Sequence, residues 1–318
     1  MRSRRNAKEA RSNEGSAAPS LELHLSHSAF VAGRRLSGVV IFRLAKPANM
    51  RSLSVSIDGR EAPSGAAISR ALRGNGSFFR REVLLSGMEQ PRLTSDRISR
   101  FWNAFLGRDT GRTLSAGEHV YPFSIALPAS LPPSYRGRAG RIVYTAGARA
   151  QFATGRTLKA AHEAPIVSVP RAGRAQPVAL SYPTAGGNVH TAHVSASLEL
   201  PDRAVPLGTK IAGRFAVANP KRAEIKQVTV SLETCEWVRL ATRKELERQT
   251  LDEWIMKPED PTAPAIEAEF ELATPGGASP TVEGTAISVI WLLKLSIRAD
   301  PPIELRTPIT VFTPAPEQ

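Results

Sequence analysis

Strict alternation of apolar and polar residues restricts this chain more than any other feature. It is clearest from Gly117 to Phe152, GEHVYPFSIALPASLPPSYRGRAGRIVYTAGARAQF. Phe123, Ile125 and Leu127 share one face of a first run. Ile142, Tyr144, Ala146, Ala148, Ala150 and Phe152 share one face of a second. Successive side chains of a strand point to opposite faces, so a period of two marks half-buried strands. Pro128, Pro132 and Pro133 have no N–H to give a ladder and mark the crossing between the two runs.

The same pattern recurs along the chain. Leu21, Leu23 and Leu25 alternate, and Gly33 marks a turn. Leu36, Val40, Phe42 and Leu44 follow, then Leu53, Val55 and Ile57, and Phe78 to Leu85 reads as a further strand. Short alternating runs divided by Gly and Pro predict an all-β sandwich or barrel. The pattern also repeats internally. Residues 33–61 lie over residues 208–236 without a gap, at an offset of 175. Gly33 falls on Gly208, Leu36 on Ile211, Gly38 on Gly213 and Lys46 on Lys221. Leu53, Val55, Ile57 and Glu61 fall on Val228, Val230, Leu232 and Glu236. Phe123, Ile125 and Pro128 have a weaker echo in Phe270, Leu272 and Pro275, and Ile142 and Tyr144 in Ile287 and Val289. Such self-similarity predicts one β-sandwich used twice. The predicted division is a basic, disordered arm over 1–19, a sandwich over 20–170, a Pro/Gly/Ser-rich connection over 171–188 and a second sandwich over 189–314.

The residues Gly117, Pro122, Phe123, Leu127, Pro128, Leu131, Pro132, Ser134, Gly140, Ile142 and Tyr144 make a pattern G-x-x-x-x-P-F-x-x-x-L-P-x-x-L-P-x-S, then G-x-I-x-Y. It resembles the amino-terminal sandwich of arrestins and arrestin-like proteins. The resemblance covers 20–314, strongest at 117–152. It implies two tandem immunoglobulin-like β-sandwiches and a non-enzymatic adaptor or scaffold in signalling or trafficking. The partners it implies are proteins, phosphorylated tails and membrane-protein tails among them. The buried charge cluster of the receptor-binding arrestins is not recognisable here.

Charge is unevenly placed. Residues 20–170 carry 21 Lys/Arg against 9 Asp/Glu, whereas residues 189–318 carry 14 against 18. A basic first half and a mildly acidic second half predict different partners for each. A solvated Arg-rich surface and an anion-binding face both remain open. Receptor-binding arrestins read phosphorylated tails with basic residues of the first domain, and Arg forks match phosphate geometry. The candidates are Arg34, Arg35, Arg80, Arg81, Arg136 and Arg138, with Arg70, Arg73 and Arg141 also basic positions of this half.

The stretch 92–108 carries Leu93, Ile98, Phe101, Trp102, Phe105 and Leu106 near helical spacing, with Arg97, Arg100 and Arg108 around them. Ile98, Phe101, Trp102 and Phe105 are candidates for an anionic membrane surface or a partner. The other reading packs this helix on the first sandwich, as the resemblance to receptor-binding arrestins favours. Residues 243–257 read as a second short helix or an extended hairpin arm.

Catalytic patterns do not emerge. There is no G-x-S-x-G, P-loop, paired zinc cysteines or H-E-x-x-H. His24 and His27, and His190 and His193, are three apart, so on a strand each pair points to opposite faces. Cys235 is the single cysteine and reads as a small buried hydrophobe. With no intrachain disulfide to form, it predicts a reducing compartment. Glu267, Glu269 and Glu271 read as one solvated strand face. Pro132-Pro133-Ser134-Tyr135 spells a PPxY motif of the kind WW domains bind, but it lies inside the L-P-x-x-L-P-x-S signature and reads as structural. The expectation is therefore no enzyme activity, no cofactor and no metal. The chain is expected in the cytoplasm, with an anionic membrane surface as the alternative partner and nucleic acid not expected. No apolar stretch is long enough to span a bilayer, and the first residues lack the apolar core of a secretory signal.

Overall fold

The computed structural model describes residues 18–64, 76–87, 112–169, 177–182, 194–239 and 243–315. Among them every regular element is a strand, as the alternation predicts. In chain order these are β1 (Ser20–Leu25), β2 (Phe30–Val31), β3 (Arg35–Leu44), β4 (Ala48–Pro63), β5 (Ser77–Gly87), β6 (Arg112–Leu114), β7 (Gly117–Ala126), β8 (Tyr135–Gly137), β9 (Gly140–Phe152), β10 (Thr157–Glu163) and β11 (Ile166–Val167). There follow β12 (Val178–Tyr182), β13 (Ser195–Leu200), β14 (Ala204–Pro206), β15 (Lys210–Ala218), β16 (Gln227–Arg239), β17 (Arg243–Met256), β18 (Ala265–Ala273), β19 (Val282–Glu283), β20 (Ile287–Arg298) and β21 (Ile303–Phe312).

The strands form two β-sandwiches. In the first, the sheet β1-β3-β7 faces the sheet β10-β9-β4-β5. In the second, β12-β13-β15-β18 faces β14-β21-β20-β16-β17. The predicted inner faces are the cores. Leu36, Val40, Phe42, Leu53, Val55, Ile57, Ile142, Tyr144 and Ala146 are at or below 2 % exposure, as are Val228, Val230, Leu232, Trp291, Leu293 and Leu295. Burying apolar area at about 25 cal/mol per Å² drives the two faces of each sandwich together.

The internal repeat is real in register as well as in sequence. In the first sandwich Arg35 to Arg43 pair with Ala126 to Glu118, and in the second Lys210 to Ala218 pair with Ala273 to Ala265. The offsets are 175 on β3 and β15 and 147 on β7 and β18. Gly33 and Gly208 precede these strands with φ of 82° and 78°, a left-handed turn that a Cβ would strain. One element of the predicted alignment is corrected. Val55 pairs with Ala148, and Val230 with Leu295, so the true offset on β9 and β20 is again 147. Tyr144 therefore corresponds to Trp291 and Ile142 to Val289, two residues from the predicted match. A slip of two preserves the face of every side chain, so alternation alone does not detect it.

Two further readings change or resolve. The predicted connection 171–188 contains β12, which pairs antiparallel with β13, so part of it belongs to the second sandwich as an edge strand. Residues 243–256 are the extended arm rather than a helix, because they pair with β16 as β17. The predicted helix over 92–108, with Ile98, Phe101, Trp102 and Phe105, lies outside the described residues, as does the arm over residues 1–17.

Candidate functional site

The six candidate arginines separate by what they touch. Arg80 lies 3.6 Å from Glu82, Arg136 2.7 Å from Glu163 and Arg138 2.8 Å from Glu247 of the second sandwich. Those three charges are answered by carboxylates. Arg35 and Arg81 are held at the end of β7 without one, and Arg34 stands next to Arg35 in the turn ahead of β3. Arg35 stands opposite Ala126 across the β3–β7 ladder. Its Nε donates to Ser124 Oγ at 2.6 Å and its Nη2 to the Ser124 carbonyl at 3.4 Å. Arg81 reaches from the edge strand β5, in the other sheet, and its Nη1 donates to the Ala126 carbonyl at 2.5 Å. The backbone carbonyl of Arg34 accepts from Leu127 N at 2.8 Å. Among the described residues no ion pair engages Arg34, Arg35 or Arg81, and all three are exposed.

This arrangement holds the guanidinium groups of Arg35 and Arg81 in place on neutral acceptors while leaving their charge uncompensated. A guanidinium carries five N–H donors, of which each of these uses only one or two. Charge-assisted pairs from Arg to carboxylate or phosphate are the stronger and more directional ones. The cluster is therefore chemically suited to hold an anionic group. Arg70 and Arg73 lie outside the described residues.

Next to this cluster, the proline corner is locked into the body of the protein. The Tyr144 hydroxyl donates to the Pro132 carbonyl at 2.6 Å. Ser134 N donates to the Ile166 carbonyl at 2.7 Å, and Ile166 N to Ser134 Oγ at 2.9 Å. Tyr135 is 3 % exposed, and its hydroxyl donates to Glu236 Oε2 at 2.7 Å. Burial, reinforced by the Glu236 carboxylate, pushes its phenol well above the ordinary range, so it stays a donor. A PPxY motif must offer an extended, accessible segment. Here its tyrosine is spent on the seam between the two sandwiches.

That seam was not foreseen, and it is reciprocal. Glu61, 7 % exposed, accepts from Thr285 N at 3.0 Å, Ala286 N at 2.9 Å and Ile287 N at 2.6 Å, at the entry to β20. Glu236 accepts from Ala139 N at 2.8 Å, ahead of β9. Glu61 and Glu236 are equivalent at the offset of 175, and Ala139 and Ala286 at 147. Each sandwich thus inserts the same glutamate into the same turn of the other. The alignment placed Glu61 on Glu236, but nothing in a single sequence pointed to their partners.

The remaining chemical candidates are structural. Cys235 is buried, and the His24 ring lies 3.3 Å from Glu22. Among the described residues no group of three or more His, Cys, Asp or Glu side chains is placed to hold a metal ion. No helix among them is long and apolar enough to cross a membrane.

Residues 20–163, which contain the arginine cluster and the proline corner, match the family pattern described as arrestin (or S-antigen), N-terminal domain. This first sandwich is arrestin-like. An arrestin domain-containing protein of Schizosaccharomyces pombe is 26 % identical over 121 residues, which are 38 % of this chain and 18 % of that protein. Arrestin domain-containing protein 17 of Caenorhabditis elegans is 32 % identical over 117 residues, 37 % of this chain and 26 % of the relative. Arrestin domain-containing protein 1 of Homo sapiens is 30 % identical over 125 residues, 39 % of this chain and 24 % of the relative. The chain therefore aligns with about a quarter or less of the length of these relatives. The resemblance drawn from the 117–144 signature is borne out, and so is the all-β architecture of paired sandwiches.

Proposed function

We propose that the chain is a non-enzymatic adaptor of the cytoplasm. It holds partner proteins, tails of membrane proteins among them, by seating a phosphorylated or carboxylate side chain on Arg34, Arg35 and Arg81. The observation that carries this reading is that Arg35 and Arg81, from two sheets, are held on neutral acceptors at the end of β7 without an ion pair, with Arg34 beside Arg35 in sequence. Arginines kept on neutral acceptors retain their charge for a ligand, whereas Arg80, Arg136 and Arg138 spend theirs within the fold. The arrestin-like family supports an adaptor role rather than a catalytic one, and no catalytic motif stands in the sequence. A place in signalling or trafficking belongs to the same proposal.

The test is binding of short peptides, singly phosphorylated and unphosphorylated, followed by fluorescence anisotropy. The phosphorylated form is expected to bind with at least about tenfold higher affinity, a difference of roughly 1.4 kcal/mol. Arg35→Gln with Arg81→Gln is expected to erase that difference, and Arg80→Gln with Arg136→Gln to leave it intact. Equal binding of both peptides, or an unaffected double variant at 35 and 81, contradicts the reading. Vesicles with and without anionic lipid form the second arm, since the membrane alternative rests on net charge and on residues 92–108.

A further inference from the structure

β5 and β17 hold the same place in the two sandwiches. Each ends its sheet among the described residues, β5 beyond β4 and β17 beyond β16, so each offers the backbone groups of one edge to a neighbouring strand. Arg81, Glu82 and Leu84 stand opposite Ile57, Ser56 and Ser54. Asp252, Glu253 and Ile255 stand opposite Leu232, Ser231 and Thr229, at an offset of 171 from the first edge. Leu84 is 40 % exposed and Ile255 53 %, so both edges carry an uncovered aliphatic side chain at the same position. Their charges differ. The middle of β5 presents Arg80 and Arg81, both exposed, whereas the middle of β17 presents the exposed Glu253 and the half-buried Asp252. Charge on an edge strand keeps like edges apart. Here two β5 edges repel one another and so do two β17 edges, but β5 and β17 attract. Within one chain these two strands lie in different sheets and do not pair.

We propose that β5 of one copy of this chain pairs, antiparallel, with β17 of a second copy. Faces must match across such a ladder. Arg81 and Asp252 lie on the side of the buried Ile57 and Leu232, and Arg80 and Glu253 on the outer side. The register that sets Arg80 opposite Glu253 of the second copy also sets Arg81 opposite its Asp252 and Phe79 opposite its Trp254. Every pair then shares a face. A slip of two residues places either Glu82 or Phe78 opposite Glu253 and loses both ion pairs. Irregularities between Gly59 and Arg60, and between Leu232 and Glu233, confine regular pairing to a few residues on each strand. The contact is therefore a weak one, with a dissociation constant on the order of 10 µM. Each copy has one edge of each kind, so the association is head to tail and grows beyond a dimer unless it closes into a ring. Arg80 and Glu253 stand outside the anion cluster, and the inference does not rest on that reading.

The experiment is sedimentation velocity of the full chain over about 1–100 µM, a range that brackets such an affinity. The weight-average mass is expected to rise above that of one 34.3 kDa chain with concentration, and to rise less in high salt. Arg80→Glu and Glu253→Arg, both at exposed positions, are each expected to weaken association at least about tenfold. Both changes in one chain reverse the ion pair and are expected to restore association. Deuterium exchange at the highest concentration is expected to slow over 79–83 and 252–256 in the wild type, and in neither single variant. A wild type that stays monomeric throughout overturns the proposal. Association unchanged by both single variants, or protection of the other edges at 117–126 or 265–273 instead, means that another surface makes the contact and overturns it too. A double variant no stronger than the single ones contradicts the pairing of Arg80 with Glu253 and overturns it as well.

Discussion

Val120 and Pro122 in the first sandwich, and Glu267 and Glu269 in the second, occupy the same places in the same strand register. Behind them the inward residues agree in kind: Phe123 with Phe270, Ile125 with Leu272, Val40 with Phe215 and Phe42 with Val217, all buried. The two sandwiches are therefore one solution to the packing problem with two different exteriors. Inward positions are held to apolar side chains by close packing. Nothing in the packing dictates the outward ones, so a consistent difference there is where function is to be sought. The cross-sheet straps carry the same lesson. Arg81, opposite Ile57 on β4, reaches the Ala126 carbonyl. Asp252, opposite Leu232 on β16, accepts from Ala273 N at 2.6 Å. Equivalent strand positions thus tie equivalent edges with opposite charge.

The reciprocal glutamates give the largest expected effect. Glu61→Ala orphans three backbone N–H groups at the seam and is expected to cost about 3 kcal/mol, against about 1–2 kcal/mol for the less deeply buried Glu236, which accepts from Ala139 N and the Tyr135 hydroxyl. Denaturant unfolding of each variant checks the order. Equal losses would mean that the two sides of the seam are interchangeable after all.

The equivalent glycines come next. A Cβ at Gly38 runs into the His24 carbonyl oxygen and lies 2.9 Å from Phe123 Cζ; one at Gly213 lies 2.5 Å from Phe270 Cζ and 2.7 Å from the Glu199 carbonyl oxygen. Gly38→Ala and Gly213→Ala are each expected to cost about 2 kcal/mol by overpacking. A clear disparity between their thermal midpoints would break the equivalence of the two interiors.

Exchanging the straps should sharpen the comparison of exteriors. Arg81→Asp with Asp252→Arg is expected to change stability by less than about 1 kcal/mol, since both side chains sit at the surface. The exchange is expected to abolish phosphopeptide binding by the first sandwich.

The smallest effect is a pH dependence confined to the second sandwich. Glu304 is held below the usual carboxylate range mainly by its hydrogen bond to Lys294, with Arg306 adding to it. A lowered folded value means its stabilisation is present above the unfolded carboxylate range and is lost as pH falls toward the folded value. Glu304→Gln is therefore expected to flatten the acid limb of the stability curve slightly, and a steeper limb would contradict the pairing.

Much of this architecture was legible in the chain. Alternation identified the inner faces, and the gapless match of 33–61 with 208–236 identified the duplication before any strand was paired. Three things were hidden for physical reasons. The match of Tyr144 to Trp291 was displaced by two because alternation is blind to even slips. The partners of Glu61 and Glu236 lie in the opposite sandwich, far along the chain. The sorting of six arginines into neutralised and uncompensated sets depended on such contacts too, as with Arg138 and Glu247.

The most direct measurement is hydrogen–deuterium exchange of the full chain with and without a phosphorylated, extended peptide. Slowed exchange over 117–126 and 35–44, with none over 265–273, is the expected result. Protection of 265–273 instead, or equally in both sandwiches, would contradict the claim that one scaffold has been given two different exteriors and only the first takes the anion.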